Sequence, residues 1–131
     1  MGAHLSTALG ADVTTSLAAD VREYDWRVKQ DTRELLTVPI LDDSGDPFLL
    51  DGWVVDAKIK DRPGGVVLYT WPEVDVYIDE NRVSLLIPAP VSRAWLWRSG
   101  WYRLKLIDPA SSLTNPAISR VLQGAISIDL D

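Results

Sequence analysis

The chain has 131 residues, enough for one packed domain and too few for two, and its apolar (47%) and charged (24%) fractions are those of a globular protein. A net charge of −6, from 19 acidic against 13 basic residues with no lysine or arginine stripe along the chain, sets the average field against a nucleic-acid backbone. The absence of cysteine removes disulfides, thiolate metal sites and thiol nucleophiles, which leaves stability to packing.

Residues 1–23 are rich in Ala, Ser, Thr and Gly, and no aromatic residue precedes Tyr24. They contain no basic start followed by a long apolar run, which excludes a secretory signal. No segment of the chain approaches the roughly 20 apolar residues of a membrane span, so no membrane insertion is expected. This region reads as an N-terminal docking arm, in which Thr15 to Glu23 is predicted to form a short helix with Leu17 and Val21 on one face. Such a helix is too short to persist without a neighbour to dock on.

From Tyr24 to Asp131 the pattern becomes period-2 alternation broken by turn residues, the mark of antiparallel β structure. Tyr24, Trp26 and Val28 oppose Asp25, Arg27 and Lys29. Trp53, Val55, Ala57 and Ile59 oppose Asp56, Lys58 and Lys60, and Tyr102, Leu104 and Leu106 oppose Arg103 and Lys105. Further strands are predicted at Leu35 to Leu41, Val66 to Trp71, Val74 to Ile78, Arg82 to Ile87 and Val121 to Leu130. In the last of these, Leu122, Ile126, Ile128 and Leu130 share a face. Turns fall at Asp42 to Asp46, Arg62 to Gly65, Asp79 to Asn81 and Asp108 to Ser112. About seven or eight short strands without βαβ spacing predict an all-β sandwich. The one break is "PAPVSRAWLWRSG", where Ser92 is expected to cap a helical turn over Arg93 to Arg98 that Gly100 ends. That turn would direct Leu96 inward and set Trp95 and Trp97 on different faces.

Little in the sequence points to catalysis, and the chain is expected to be neither an enzyme nor a cofactor or metal protein. Asp42, Asp43 and Asp46 lack EF-hand spacing and suit a tight turn. The single histidine, His4, lies in the arm, away from any pocket that a nucleophile–base pair would need. "RPGG" lacks the lysine and following helix of a phosphate loop. The unusual feature is six tryptophans against one phenylalanine. Trp26, Trp53 and Tyr102 belong to apolar faces, whereas Trp71, Trp95, Trp97 and Trp101 are less easily absorbed and, with Leu17 and Val21, form the candidate partner-binding set. Three uses are open for these rings: core filling, a protein interface, or a carbohydrate platform.

The order of motifs carries a resemblance. Gln30, Asp31 and Thr32 form a first turn, and Leu50, Asp51, Gly52 and Trp53 open a strand that leads to Lys60 and Asp61. Gly100, Tyr102, Leu104, Leu106 and Asp108 precede a final strand with Gly124 and Ile126. Across Tyr24 to Leu130 this resembles the immunoglobulin-like β-sandwich domain of tailed-phage virion proteins, chiefly minor tail and upper-baseplate proteins. The glycine that the family places in the first turn is absent. The resemblance implies a non-enzymatic virion subunit whose partners are other virion proteins and copies of itself, with tail or baseplate favoured over the capsid surface. A capsid decoration protein and a module for host-surface carbohydrate are the alternatives it leaves.

Overall fold

The computed structural model describes residues 9–16, 21–110 and 118–130; the candidate anchor Leu17 and the lone histidine, His4, lie outside them. The strands are β1 (Leu9–Asp12), β2 (Thr15–Ser16), β3 (Arg22–Glu23), β4 (Trp26–Lys29), β5 (Glu34–Leu41), β6 (Val54–Lys60), β7 (Val67–Thr70), β8 (Val76–Asp79), β9 (Arg82–Ile87), β10 (Ser99–Ile107) and β11 (Ile118–Asp129). A 3-10 turn covers Glu73–Asp75, and one helix, α1, covers Ala89–Arg93.

Two sheets result, one ordered β1-β5-β9-β8 with β2 also on β5, the other β3-β11-β10-β6-β7 with β4 also on β11. Alternation does what the sequence implied. Leu36, Val38 and Ile40 of β5, Ala57 and Ile59 of β6, and Tyr102, Leu104 and Leu106 of β10 are buried in one shared core. At Leu104/Lys105 the β10–β11 register slips, and Val121 and Leu122 both turn inward. Leu130, expected on that inner face, is exposed beyond the strand's end. The stretch from β7 to β9 changes sheets: β7 pairs with β6 in the second sheet, and after Trp71 and the 3-10 turn β8 pairs with β9 in the first.

The expected all-β sandwich is present, but its sheets are mixed rather than wholly antiparallel. β1 and β2 run parallel to β5, and β3 and β4 run parallel to β11. Parallel neighbours need a connection that leaves the sheet and returns, and here the chain lends β3 and β4 to the second sheet before returning as β5. The described part of residues 1–23 is therefore strand within the sandwich, which corrects the reading of a separate arm. The helix over Thr15–Glu23 is replaced at both described ends by β2 and β3. Backbone pairing along an open sheet edge outweighs the marginal helical stability of so short a segment. Val13 is buried, the Thr15 hydroxyl donates to the Val121 carbonyl at 3.0 Å, and Val21 is half-buried just before β3.

Two residues of the sequence motifs converge on one backbone group. The Tyr102 hydroxyl donates to the Tyr24 carbonyl at 2.5 Å, and Gly124 lies so close to that carbonyl that a Cβ there would overlap it. Burial, with Tyr24 and Asp25 adding to it, pushes the Tyr102 hydroxyl far above the ordinary tyrosine value, so it remains a donor at any physiological pH.

Because β1 and β2 complete the first sheet, a chain starting at Tyr24 is expected to lose at least about 2 kcal/mol of stability, the scale of one buried aliphatic side chain with its edge hydrogen bonds. Urea denaturation of the two chains measures this. Equal stability would mean that residues before Tyr24 are an independent arm.

Candidate functional site

Rings that the sequence assigned to the core, Trp26 and Tyr102, and rings that it left open, Trp71, Trp95 and Trp97, form one chain of contacts with Tyr69. Trp26 stacks on Trp71 (centroids 5.9 Å, planes 10° apart) and meets Tyr102 edge-on at 5.7 Å. Tyr69 is edge-on to both Trp71 and Trp95, each at 5.2 Å, and Trp95 stacks on Trp97 at 4.6 Å. The Trp71 indole N–H donates to the Leu86 carbonyl on β9 at 3.1 Å, a bond from one sheet to the other. Trp71 is 5% exposed and Trp95 8%. Of the candidate partner-binding rings, these two are therefore core. Trp97 is half-buried against Trp95, and Trp101 is half-buried on the opposite, outward face of β10.

The helical turn that would have separated Trp95 from Trp97 lies earlier. It occupies Ala89–Arg93, entered at Pro88 with Pro90 in its first turn, where proline's missing N–H costs no hydrogen bond. The helix does not continue past Arg93, and Trp95 and Trp97 stack on each other instead of lying on different faces. Leu96, expected inward, is 92% exposed.

What fixes this segment is the turn at Gln30 to Thr32. The Gln30 side-chain amide reaches the carbonyls of Ser92 and Trp95, each at 3.1 Å, with the Arg93 carbonyl at 3.4 Å. Asp31 adopts φ = 60°, a left-handed conformation that Asp tolerates better than most residues. Its N–H donates to the Ser92 hydroxyl at 2.9 Å, and its carboxylate pairs with Arg93 at 2.7 Å. Ser92 is thus a buried acceptor inside the helix, not its cap. At the other end of the sandwich the Asp42 carboxylate accepts the N–H groups of Ser44 and Asp46, each at 2.9 Å, which accounts for the acidic cluster as a closed turn.

Among the described residues, two open places border this frame. Strands β7 and β8 each end a sheet, and beside them Trp53, Val54, Val55, Trp71, Glu73, Val76 and Ile78 line a groove of about 460 Å³. Val54, Val66, Val67, Val74, Tyr77 and Ile78 are exposed along these edges. Single exposed aliphatic residues are ordinary, but a row of them on short edge strands that carry no lysine is an invitation to pairing. The Tyr69 hydroxyl is buried with no hydrogen-bond partner among the described residues, and burial, then Asp75, raises it above its ordinary 10.0. The sequence flagged the tryptophans as the contact surface; the aliphatic edge went unseen because its residues are common strand formers. On the outward face of the second sheet, Trp101 borders a depression lined also by Lys60, Pro63, Gly64, Arg103 and Gln123.

No protein-family model matches the chain, and no curated protein sequence does. A solved structure described as the N-terminal domain of phage TP901-1 ORF48 is similar in fold, with a TM-score of 0.55 at 6% sequence identity, covering 92% of this chain and 98% of that one.

Glu34, beside the Gln30 turn, supplies a pH test of the frame. Its carboxylate accepts the Lys29 N–H at 2.9 Å, yet burial outweighs that bond and the lysine's charge and raises it above its ordinary 4.5. A carboxyl raised on folding contributes stability that is full below 4.5 and is lost as pH rises through the folded value. Glu34→Gln is expected to flatten this decline when urea midpoints are compared from about pH 4 to pH 7, the range that spans such a shift. An identical pH slope in both chains would contradict the burial argument.

Proposed function

We propose that this protein is a non-enzymatic structural component of a tailed-phage particle, an immunoglobulin-like sandwich serving as an adaptor in the tail or baseplate. The observation that carries the reading is the fold likeness to a phage protein's N-terminal domain, which spans almost the whole of both chains. The sequence motifs point the same way independently. Gln30, Asp31, Tyr102 and Gly124, on which the resemblance rests, are the residues that pin the edge strand and the Trp95 segment.

In this reading the chain docks on other virion proteins and on copies of itself through the β7–β8 edge rather than through stacked tryptophans. The open edge offers main-chain groups, and Val74 and Ile78 offer apolar area. A glycan platform built from Trp95 and Trp97 is disfavoured, since the two rings lie on each other and Trp95 is buried.

Peptide mass spectrometry of purified particles of the encoding phage, with heads and tails separated, tests this. The chain is expected in the tail fraction at multiple copies. Val74→Asp and Ile78→Asp, both at exposed positions, are expected to change stability by no more than about 0.5 kcal/mol while lowering incorporation about tenfold, as a charge in an apolar contact does. Absence from particles would overturn the virion reading. Unchanged incorporation of both variants would overturn the edge as the docking surface.

A further inference from the structure

The outward face of the second sheet gathers charges that are dispersed along the sequence. Register sets Lys60 and Ala125 on either side of Trp101, and in the next outward row Lys58 and Gln123 on either side of Arg103. Lys60, Trp101, Arg103 and Gln123, with Pro63 and Gly64 of the β6–β7 hairpin as a lip, enclose a depression of about 340 Å³. That volume lies within the range of small-ligand sites. Ala125, small and exposed, leaves one side of the Trp101 ring uncrowded by a large neighbour.

This grouping works against the stability of the sheet. Like charges directly opposite on neighbouring strands are unfavourable, and Lys58 faces Arg103 in a protein with 19 carboxylates to choose from. Of the carboxylates nearby in the fold, Asp56, Asp61 and Asp25 are committed elsewhere, and Glu23, exposed beside Gln123 on β3, lies one strand further from the two cations. Asp56 lies 3.9 Å from the Lys58 ammonium. Asp61 holds Arg62 at 3.0 Å and the Val66 N–H at 2.9 Å, and Asp25 accepts the Ala125 N–H at 3.3 Å. Among the described residues, no hydrogen bond or ion pair engages the side chains of Lys60, Arg103, Gln123 or Trp101. The depression therefore presents two cations and an amide around one indole ring, with no side-chain hydrogen bond or ion pair among the described residues using them.

Such a set matches one kind of ligand. Two cations ask for a carboxylate or phosphate, the indole asks for a flat C–H face, and the amide both donates and accepts, as a hydroxyl partner must. We propose that this depression is a binding site for an acidic saccharide, its anionic group between Lys60 and Arg103, its ring against Trp101 and a hydroxyl on Gln123. The site lies on the outer face of the second sheet and does not depend on the docking proposed for the β7–β8 edge.

Calorimetric titration of the full chain with tetragalacturonate tests the proposal, with its fully methyl-esterified form, a sugar phosphate, inorganic phosphate and a poly-glutamate peptide as parallel arms. Binding of the tetragalacturonate or the sugar phosphate, and not of the ester, is expected, and whichever of the two binds identifies the acid group. Lys60→Gln and Arg103→Gln are each expected to weaken that binding about tenfold, the scale of one charge-assisted hydrogen bond. Trp101→Ala should weaken it comparably, and Trp101→Phe should recover part of the loss. Thermal melts of all four variants confirm the fold, and the two glutamine variants, at outward positions, carry the test if Trp101→Ala fails to fold. Poly-glutamate or inorganic phosphate binding as tightly as the saccharides, with indifference to Trp101, would overturn the proposal in favour of a general anion-attracting face. So would no binding in any arm, or equal binding of the ester.

Discussion

The Trp71 indole ties the two sheets together in the middle of the aromatic core. Its ring lies on Trp26 in the second sheet and its N–H reaches the Leu86 carbonyl in the first, at the point where the chain crosses between sheets. A buried indole N–H without an acceptor would cost about 1–3 kcal/mol, so the ring can fill the core only where a carbonyl is aimed at it. From this contact the other rings follow outward through Tyr69 to Trp95 and Trp97. The Gln30 amide, by gathering the carbonyls of Ser92 and Trp95, holds the far end of that series in place. The tryptophan-rich segment thereby becomes part of the frame, with the Leu96 side chain between its stacked rings left in solvent.

With Trp26, Trp71 and Trp95 committed inside, two places of different character stand out on the described surface. The β7–β8 edge is aliphatic, carries unpaired strand backbone and sits beside Glu73 and Asp75, features suited to a protein neighbour. The outward face of β6 and β10 is cationic within an acidic chain and surrounds a single ring, features suited to a small anion with a flat face. An adaptor that occupies one position in a particle through its edge would keep the other face available, so the two proposals are compatible without depending on each other.

Much of this was legible in residue order. Alternation in "WVVDAKIKD" and "WYRLKLID" identified which side of β6 and β10 is buried, because one face of each strand meets the core and the other meets water. Chain-distant geometry was not legible. Whether Trp71 is a surface ring at a strand end or an inter-sheet tie depends on a carbonyl fifteen positions away. The edge strands β1 to β3 are too short and too poor in apolar residues to show a period, and they exist only because β5 and β11 offer open edges. The cationic face was likewise hidden. No basic stripe exists along the sequence, and one appears only when Lys58 and Lys60 are set opposite Arg103 and Trp101, some forty residues away in the chain.

Hydrogen exchange of the six indole N–H groups, each a separate resonance in a nitrogen-15 correlation spectrum, tests the inter-sheet tie most directly. The Trp71 indole is expected to exchange with the slowest backbone amides, at the rate of global opening, while the Trp101 indole exchanges at once. A Trp71 indole exchanging as fast as that of Trp101 would contradict the account, because the ring would then be open to solvent and its bond to the Leu86 carbonyl would not tie the sheets.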